Sequence, residues 1–152
     1  MLKKGASMEY TNRWNINRGY MRLEVWREAL DLFASVQSSL YRSEKLDFKL
    51  RGQLLDSAQS IGANIAEGYC RKSINEYRQF LNVALGSAGE TLTRMIGLDR
   101  TGYISHEDFE ELDRSHYSVE NKLIALIKSL QAKRKTGKWD DEFKDPTGEY
   151  EP

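Results

Sequence analysis

Ser57-Ala-Gln-Ser-Ile-Gly-Ala-Asn-Ile-Ala-Glu-Gly-Tyr-Cys-Arg-Lys-Ser73 decides the fold. Ala58, Ile61, Ile65 and Tyr69 recur at steps of three or four, which is one face of a helix. Leu50 and Leu54 extend that face upstream. Ser57, Ser60, Gly62, Ala63 and Ala66 are small and crowd one half of the same helix. A glycine inside a helix costs about 1 kcal/mol relative to alanine. Gly62 therefore predicts a close backbone approach by a neighbour. Gly68 stands where a helix end takes a left-handed residue. Ser73-Ile-Asn-Glu76 reads as a capping box, each side chain meeting the other residue's free N–H. The turn between the two helices is then about four or five residues, short enough to force antiparallel neighbours. Asn64 and Glu67 are the polar residues of the segment. They serve either internal hydrogen bonds or a ligand or partner.

The rest of the chain repeats the pattern. Helix 1 is expected over about 23–42, with Trp26, Ala29, Leu30, Phe33, Val36, Gln37, Leu40 and Tyr41 as its apolar stripe. A charged loop over 43–47 leads to helix 2, about 48–67. Helix 3 follows Ser73 to about Arg100, with Tyr77, Phe80, Leu81, Ala84, Ala88, Thr91, Leu92, Met95 and Ile96 facing inward. Its Gly86-Ser87-Ala88-Gly89 is expected against the small residues of helix 2. Gly102 ends helix 3, and Ser105-His106-Glu107-Asp108 is a second capping box. Helix 4 runs to about Arg134, and Phe109, Leu112, His116, Val119, Leu123, Leu126 and Leu130 keep the seam spacing of a bundle. The fold expected is all-α, an up-and-down antiparallel four-helix bundle over 21–135. Residues 1–20 read as a flexible basic arm and 136–152 as a disordered acidic tail.

The 152 residues fit one domain with tails, and the formal net charge is zero. Cys70 is the lone cysteine, so no intrachain disulfide can form, which fits a reducing cytoplasm. Arg71 and Lys72 beside it are placed to lower its thiol pKa, but the favoured reading is a bystander thiol. No apolar run is long enough to span a membrane.

Several patterns that suggest chemistry fail on inspection. Asp99 to Asp108 resembles half of a calcium loop, but Gly97 and Thr101 fall where carboxylates are needed. Asp113-Arg-Ser-His116 has the helical spacing of a di-iron ligand pair but lacks a second copy. His116 reads as a seam histidine and His106 as an exposed first-turn residue. No phosphate-binding glycine loop or catalytic triad pattern appears. The expectation is a non-enzymatic protein with no metal and no cofactor.

Leu23-Glu-Val-Trp26, Ser60-Ile-Gly-Ala-Asn-Ile-Ala-Glu-Gly-Tyr-Cys-Arg71, Phe80-Leu81, Ala84-Leu-Gly-Ser-Ala-Gly-Glu90 and Gly102-Tyr-Ile-Ser105 together resemble the 23S rRNA intervening-sequence protein family of four-helix-bundle proteins. The similarity covers about residues 20–131, and Asn64 to Arg71 is its most specific part. Cys70 departs from the small residue common there. The resemblance implies a ring-shaped homo-oligomer, a pentamer. It also implies kinship with the accessory variability determinant of diversity-generating retroelements, which binds nucleic acid and works with a reverse transcriptase. Binding of RNA or DNA, with a reverse transcriptase as a further partner, is therefore expected by analogy.

Charge distribution bears on that expectation. Residues 1–22 hold five basic and one acidic residue, net +4; residues 121–138 hold six basic and none acidic, net +6. Residues 107–120 hold six acidic and one basic, net −5, and residues 139–152 repeat that balance. In an up-and-down bundle the N-terminal arm, the helix 2–3 turn and the end of helix 4 share one end. Arg18, Arg22, Arg71, Lys72, Arg78, Lys133, Arg134 and Lys135, with Lys138, are the candidate phosphate contacts there. Glu107, Asp108, Glu110 and Glu111 mark the opposite end. Bases at helix C-termini also complement the helix dipole in ordinary bundles. Trp14, Tyr20 and Trp139 are candidates for base stacking. The competing reading is an oligomeric protein-interaction scaffold, with Leu32, Leu55, Leu85 and Leu98 as its exposed apolar surface.

Overall fold

The computed structural model describes residues 10–43, 45 and 47–136. A 3-10 helix, Ile16–Arg22, precedes α1 (Glu24–Tyr41), α2 (Phe48–Cys70), α3 (Ile74–Arg100) and α4 (His106–Lys135). No strand occurs among the described residues. α1 packs on α2 and α4, and α3 packs on the same two, with no diagonal backbone contact among the described residues. This is the square of an up-and-down four-helix bundle, and α2 with α3 forms its most extensive interface.

Local chemistry sets the starts of α2, α3 and α4. The Asp47 carboxylate accepts from the N–H groups of Lys49 at 2.7 Å and Leu50 at 3.3 Å. Ser73 Oγ accepts from Glu76 N at 3.4 Å, and Ser105 Oγ accepts from Asp108 N at 3.0 Å. Each such cap contributes about 1 kcal/mol. The common core is filled by side chains such as Leu40, Leu54, Ile61, Leu81, Met95 and Leu123, all fully buried. Each contributes roughly 1.5–3 kcal/mol.

The buried stripes differ from expectation in α1. Leu32, Val25 and Ser39 are buried, whereas Gln37 and Tyr41 are exposed. The 3-10 helix and α4 flank α1, so the face it buries is turned from the stripe built on Phe33, Gln37 and Tyr41. In α3 Leu98 is buried and Ile96 is exposed, again a shift of the face.

Gly68 does not cap α2. It lies inside the helix and is buried, and a Cβ there would meet Phe80 Cβ at 2.7 Å and the Tyr77 carbonyl oxygen at 3.2 Å. Its role is close approach of α2 to α3. The left-handed position falls four residues later, on Lys72, with φ 58°. Gly62 has ordinary spacing, its nearest neighbours being Ala29 and Leu30 at 3.8 Å from a built Cβ. The small patch of α3 is half inward. Ser87 and Ala88 are buried, and Ser87 Oγ bonds Ser60 Oγ at 2.9 Å, while Gly86 and Gly89 face outward.

Residues 10–20 are not a flexible arm. Trp14 is 8% exposed and belongs to the core, as does Met21 beyond it. Tyr20 stacks edge-on between Trp26 at 5.2 Å and Tyr69 at 6.1 Å. Gly19 lies so close under Tyr69 that no Cβ fits. The segment is held by aromatic burial, each ring removing a large apolar area from water. The first nine residues of the expected arm and residues 137–152 of the expected tail lie outside the described residues.

Candidate nucleic-acid interface

The bundle's topology brings the candidate cations together at one end. The 3-10 helix packs on α1 and α2, and Cys70 Sγ lies 3.3 Å from the Asn17 carbonyl. That fixes residues 16–22 beside the α2–α3 turn. His116 Nε2 donates to the Ala88 carbonyl at 2.6 Å, which registers α4 against α3. Ile74 lies fourteen residues before Ala88, and Leu130 fourteen after His116. At about 1.5 Å per residue the two are level, and Lys133, Arg134 and Lys135 project about one further turn. All three are exposed.

The eight candidates are not equivalent. Arg71 is 3.0 Å from Glu67 and 4.0 Å from Glu76, and its guanidinium sits 5.2 Å over the Phe80 ring. Arg22 covers the Trp14 ring at 4.3 Å. These two cations are engaged in holding the end together. Arg18 donates to the Arg13 carbonyl at 2.7 Å and to Thr11 Oγ1 at 3.2 Å, both neutral acceptors, and meets no carboxylate among the described residues. Among the described residues Arg18, Lys72, Arg78, Arg134 and Lys135 form no ion pair. Lys133 shares their end of the bundle.

Lys72 is the one described non-glycine residue with positive φ. A left-handed conformation costs a β-carbon-bearing residue about 1–2 kcal/mol. Glycine would fit that position better. The turn therefore carries a lysine at some cost to the backbone. Sequence spacing missed this, because Gly68 took the cap role in the reading of the turn.

Trp14 and Tyr20 are packed against Arg22, Trp26 and Tyr69, so neither is available to stack on a base. Trp139 lies outside the described residues. Burial raises the Cys70 thiol pKa, against a smaller lowering from Lys72 and a further rise from Glu67. Desolvation outweighs the neighbouring cation, in keeping with the bystander reading of this thiol.

Several other polar residues pair within the bundle. Asn64 Nδ2 donates to the Ser60 carbonyl at 2.7 Å and to Ser60 Oγ at 2.9 Å. Glu67 is the partner of Arg71. His116 is fully buried in the seam, and its Nδ1 is 3.1 Å from Glu120, near but not aligned as a hydrogen bond. Lys122 bridges α4 to Glu24 at 2.8 Å and to Glu28, whose other oxygen accepts from Ser118 at 2.6 Å. Burial pushes the Glu28 carboxyl up, but the bonds from Lys122 and Ser118 outweigh it and its pKa falls below the ordinary value.

At the opposite end a groove of about 540 Å³ lies between α1 and α4, and Arg42 there is already closed by Asp108 at 3.0 Å. No group of three or more potential metal ligands occurs among the described residues. No described helix is long and apolar enough to cross a membrane.

Fold and charge define an all-helical bundle protein with a cation-rich end. The chain belongs to the 23S rRNA-intervening sequence protein family, whose profile matches residues 21–125. A solved structure from Bacteroides thetaiotaomicron, described as a protein with unknown function from the S23 ribosomal protein family, is 31% identical. It superposes with a TM-score of 0.64 over 68% of this chain and 98% of that one. No protein of the curated set matches the chain.

Proposed function

We propose that this protein is a non-enzymatic bundle that binds structured nucleic acid through its phosphates. The contacts come from Arg18, Lys72, Arg78, Arg134 and Lys135, with Lys133 beside them. Arg22 and Arg71 support the end rather than grip the ligand. The observation that carries the reading is Lys72, a cation kept in a left-handed conformation at the end where Arg18, Arg78, Arg134 and Lys135 form no ion pair among the described residues. Binding through phosphates positions without reading sequence. A ring-shaped homo-oligomer, a pentamer by family resemblance, would multiply the patch and so its attraction for a polyanion. Family kinship extends the reading to an accessory of an RNA-handling or reverse-transcription complex in the cytoplasm.

The test is a full-length variant with Lys72, Arg134 and Lys135 changed to glutamine. Its helicity and unfolding midpoint should match the parent, because these side chains make no ion pair among the described residues. Its affinity for a labelled structured RNA should fall at least tenfold at low salt. Equal affinity would overturn the site.

A second reading, an oligomeric scaffold without nucleic acid, is favoured by the outer face of α3. Gly86, Gly89 and Gly97 are exposed there, and a Cβ at each meets nothing within 4 Å. Three such glycines cost about 3 kcal/mol of helix stability with no return inside the protomer. Val83 is 51% and Ile96 39% exposed on the same helix. That face suits close approach by another backbone. Leu32 and Leu98, expected to form such a surface, are buried instead, and Leu55 and Leu85 are packed against the core. Light scattering that gives a monomer would remove this reading and the ring together.

A further inference from the structure

We propose that the acidic stretch 139–152 of this chain seats on the basic end and competes there with the polyanionic ligand. The proposal rests on the phosphate-binding reading and names the regulation of that same site.

Three observations carry it. The stretch holds Asp140, Asp141, Glu142, Asp145, Glu149 and Glu151 against Lys144 alone, net −5. It begins four residues after Lys135, where α4 ends within the cation-rich end. The first carboxylate, Asp140, is five residues from Lys135, or about 17 Å of extended chain. Packed helices stand about 8–10 Å apart, so that length crosses the end of the bundle to the α2–α3 turn.

The acceptor surface matches. Arg18, Lys72, Arg78, Arg134 and Lys135 form no ion pair among the described residues, which leaves their charge open to an anion from outside that set. A tethered anion acts at millimolar effective concentration, enough to occupy a weak site repeatedly. A nucleic acid must displace it. The tail thereby selects against weak or short anions while admitting a ligand that meets several cations at once.

Two measurements on the full-length protein test this. The first is zero-length carbodiimide crosslinking, which joins a carboxylate to a lysine amine as an amide with loss of water. Mass spectrometry should find Asp140, Asp141 or Glu142 linked to Lys72 in the α2–α3 turn, and not to Lys49 at the far end. The second compares the parent with a variant in which Asp140, Asp141, Glu142 and Asp145 are changed to their amides. The variant should bind labelled RNA about two- to tenfold more tightly at low salt. Its affinity should also fall more steeply with salt, because no tail is displaced as the ligand binds. Absence of the Lys72 link and equal affinities, with RNA still bound, would overturn the tail contact and leave the phosphate site standing. The Lys72 link with no RNA binding by either protein would uphold the contact and overturn its regulatory role along with the phosphate site.

Discussion

Replacing Gly68 by alanine tests the packing that joins α2 to α3. Alanine is the better helix former by about 1 kcal/mol, so propensity alone predicts stabilisation. The structure predicts the opposite. A Cβ at 68 would lie 2.7 Å from Phe80 Cβ, 3.1 Å from Tyr77 Cδ2 and 3.2 Å from the Tyr77 carbonyl oxygen. Phe80 Cβ and the carbonyl are fixed to the α3 backbone, so no rotamer change relieves them. The two helices must move apart at their closest point, and overpacking of this kind costs about 1–3 kcal/mol. Two backbone-anchored contacts place Gly68→Ala near the upper part of that range. The net effect expected is a loss of about 1–2 kcal/mol after the propensity gain. Gly86→Ala is the internal control. Nothing lies within 4 Å of its Cβ, so it should gain about 0.5–1 kcal/mol in the monomer. Urea unfolding followed by circular dichroism reads both changes on one scale. A Gly68→Ala protein as stable as Gly86→Ala would refute the close-approach argument. A Gly86→Ala protein that loses stability and falls to a smaller assembly would place that face at a subunit contact.

Other perturbations separate stability from function. Lys72→Gly should stabilise the fold by up to about 1 kcal/mol by relieving the left-handed lysine, and should weaken RNA binding; urea midpoints and anisotropy read the two effects, which a purely structural Lys72 would not set in opposition. Glu28 has a folded pKa below its ordinary 4.5, so its contribution is complete above that value and is lost as pH falls through 4.5 and then through the lower folded pKa. Glu28→Gln should therefore flatten the acid side of the stability profile while leaving the slope above pH 6 unchanged, as thermal melts across pH would show. His116→Leu should change stability by less than about 1.5 kcal/mol, because the Ala88 carbonyl keeps its helical hydrogen bond and the volume is nearly conserved; a loss of 3 kcal/mol would assign the histidine a larger role in registering α4.

The helices were legible because their periodic stripes and serine caps are local features. Ser73 and Ser105 accept the forward capping bonds their spacing predicts, while the return bonds from the Glu76 and Asp108 carboxylates are not formed among the described residues; the four helices begin and end within a few residues of the expected bounds. The inward face of α1 was not legible. Leu30, Leu32, Phe33 and Val36 offer competing stripes, and only the neighbours on either side decide between them. Residues 10–22 show no helical period because aromatic contacts between Tyr20, Trp26 and Tyr69 hold them. The gathering of cations at one end followed from connectivity alone. Which of them are engaged did not, since Arg71 meets Glu67, Glu76 and Phe80, and Arg22 meets Trp14, only once the chain has folded. Lys72 was placed on the right turn, but its left-handed backbone was hidden by Gly68, which local rules favoured for that conformation.

The phosphate-binding end is tested most directly by the affinity of the full-length protein for a labelled structured RNA across a salt series. If five cations of one protomer meet phosphates, the logarithm of the association constant should fall against the logarithm of salt with a slope of roughly −3.5 to −4.5, steeper if several protomers engage. A flat salt dependence, or no binding at low ionic strength, would contradict it.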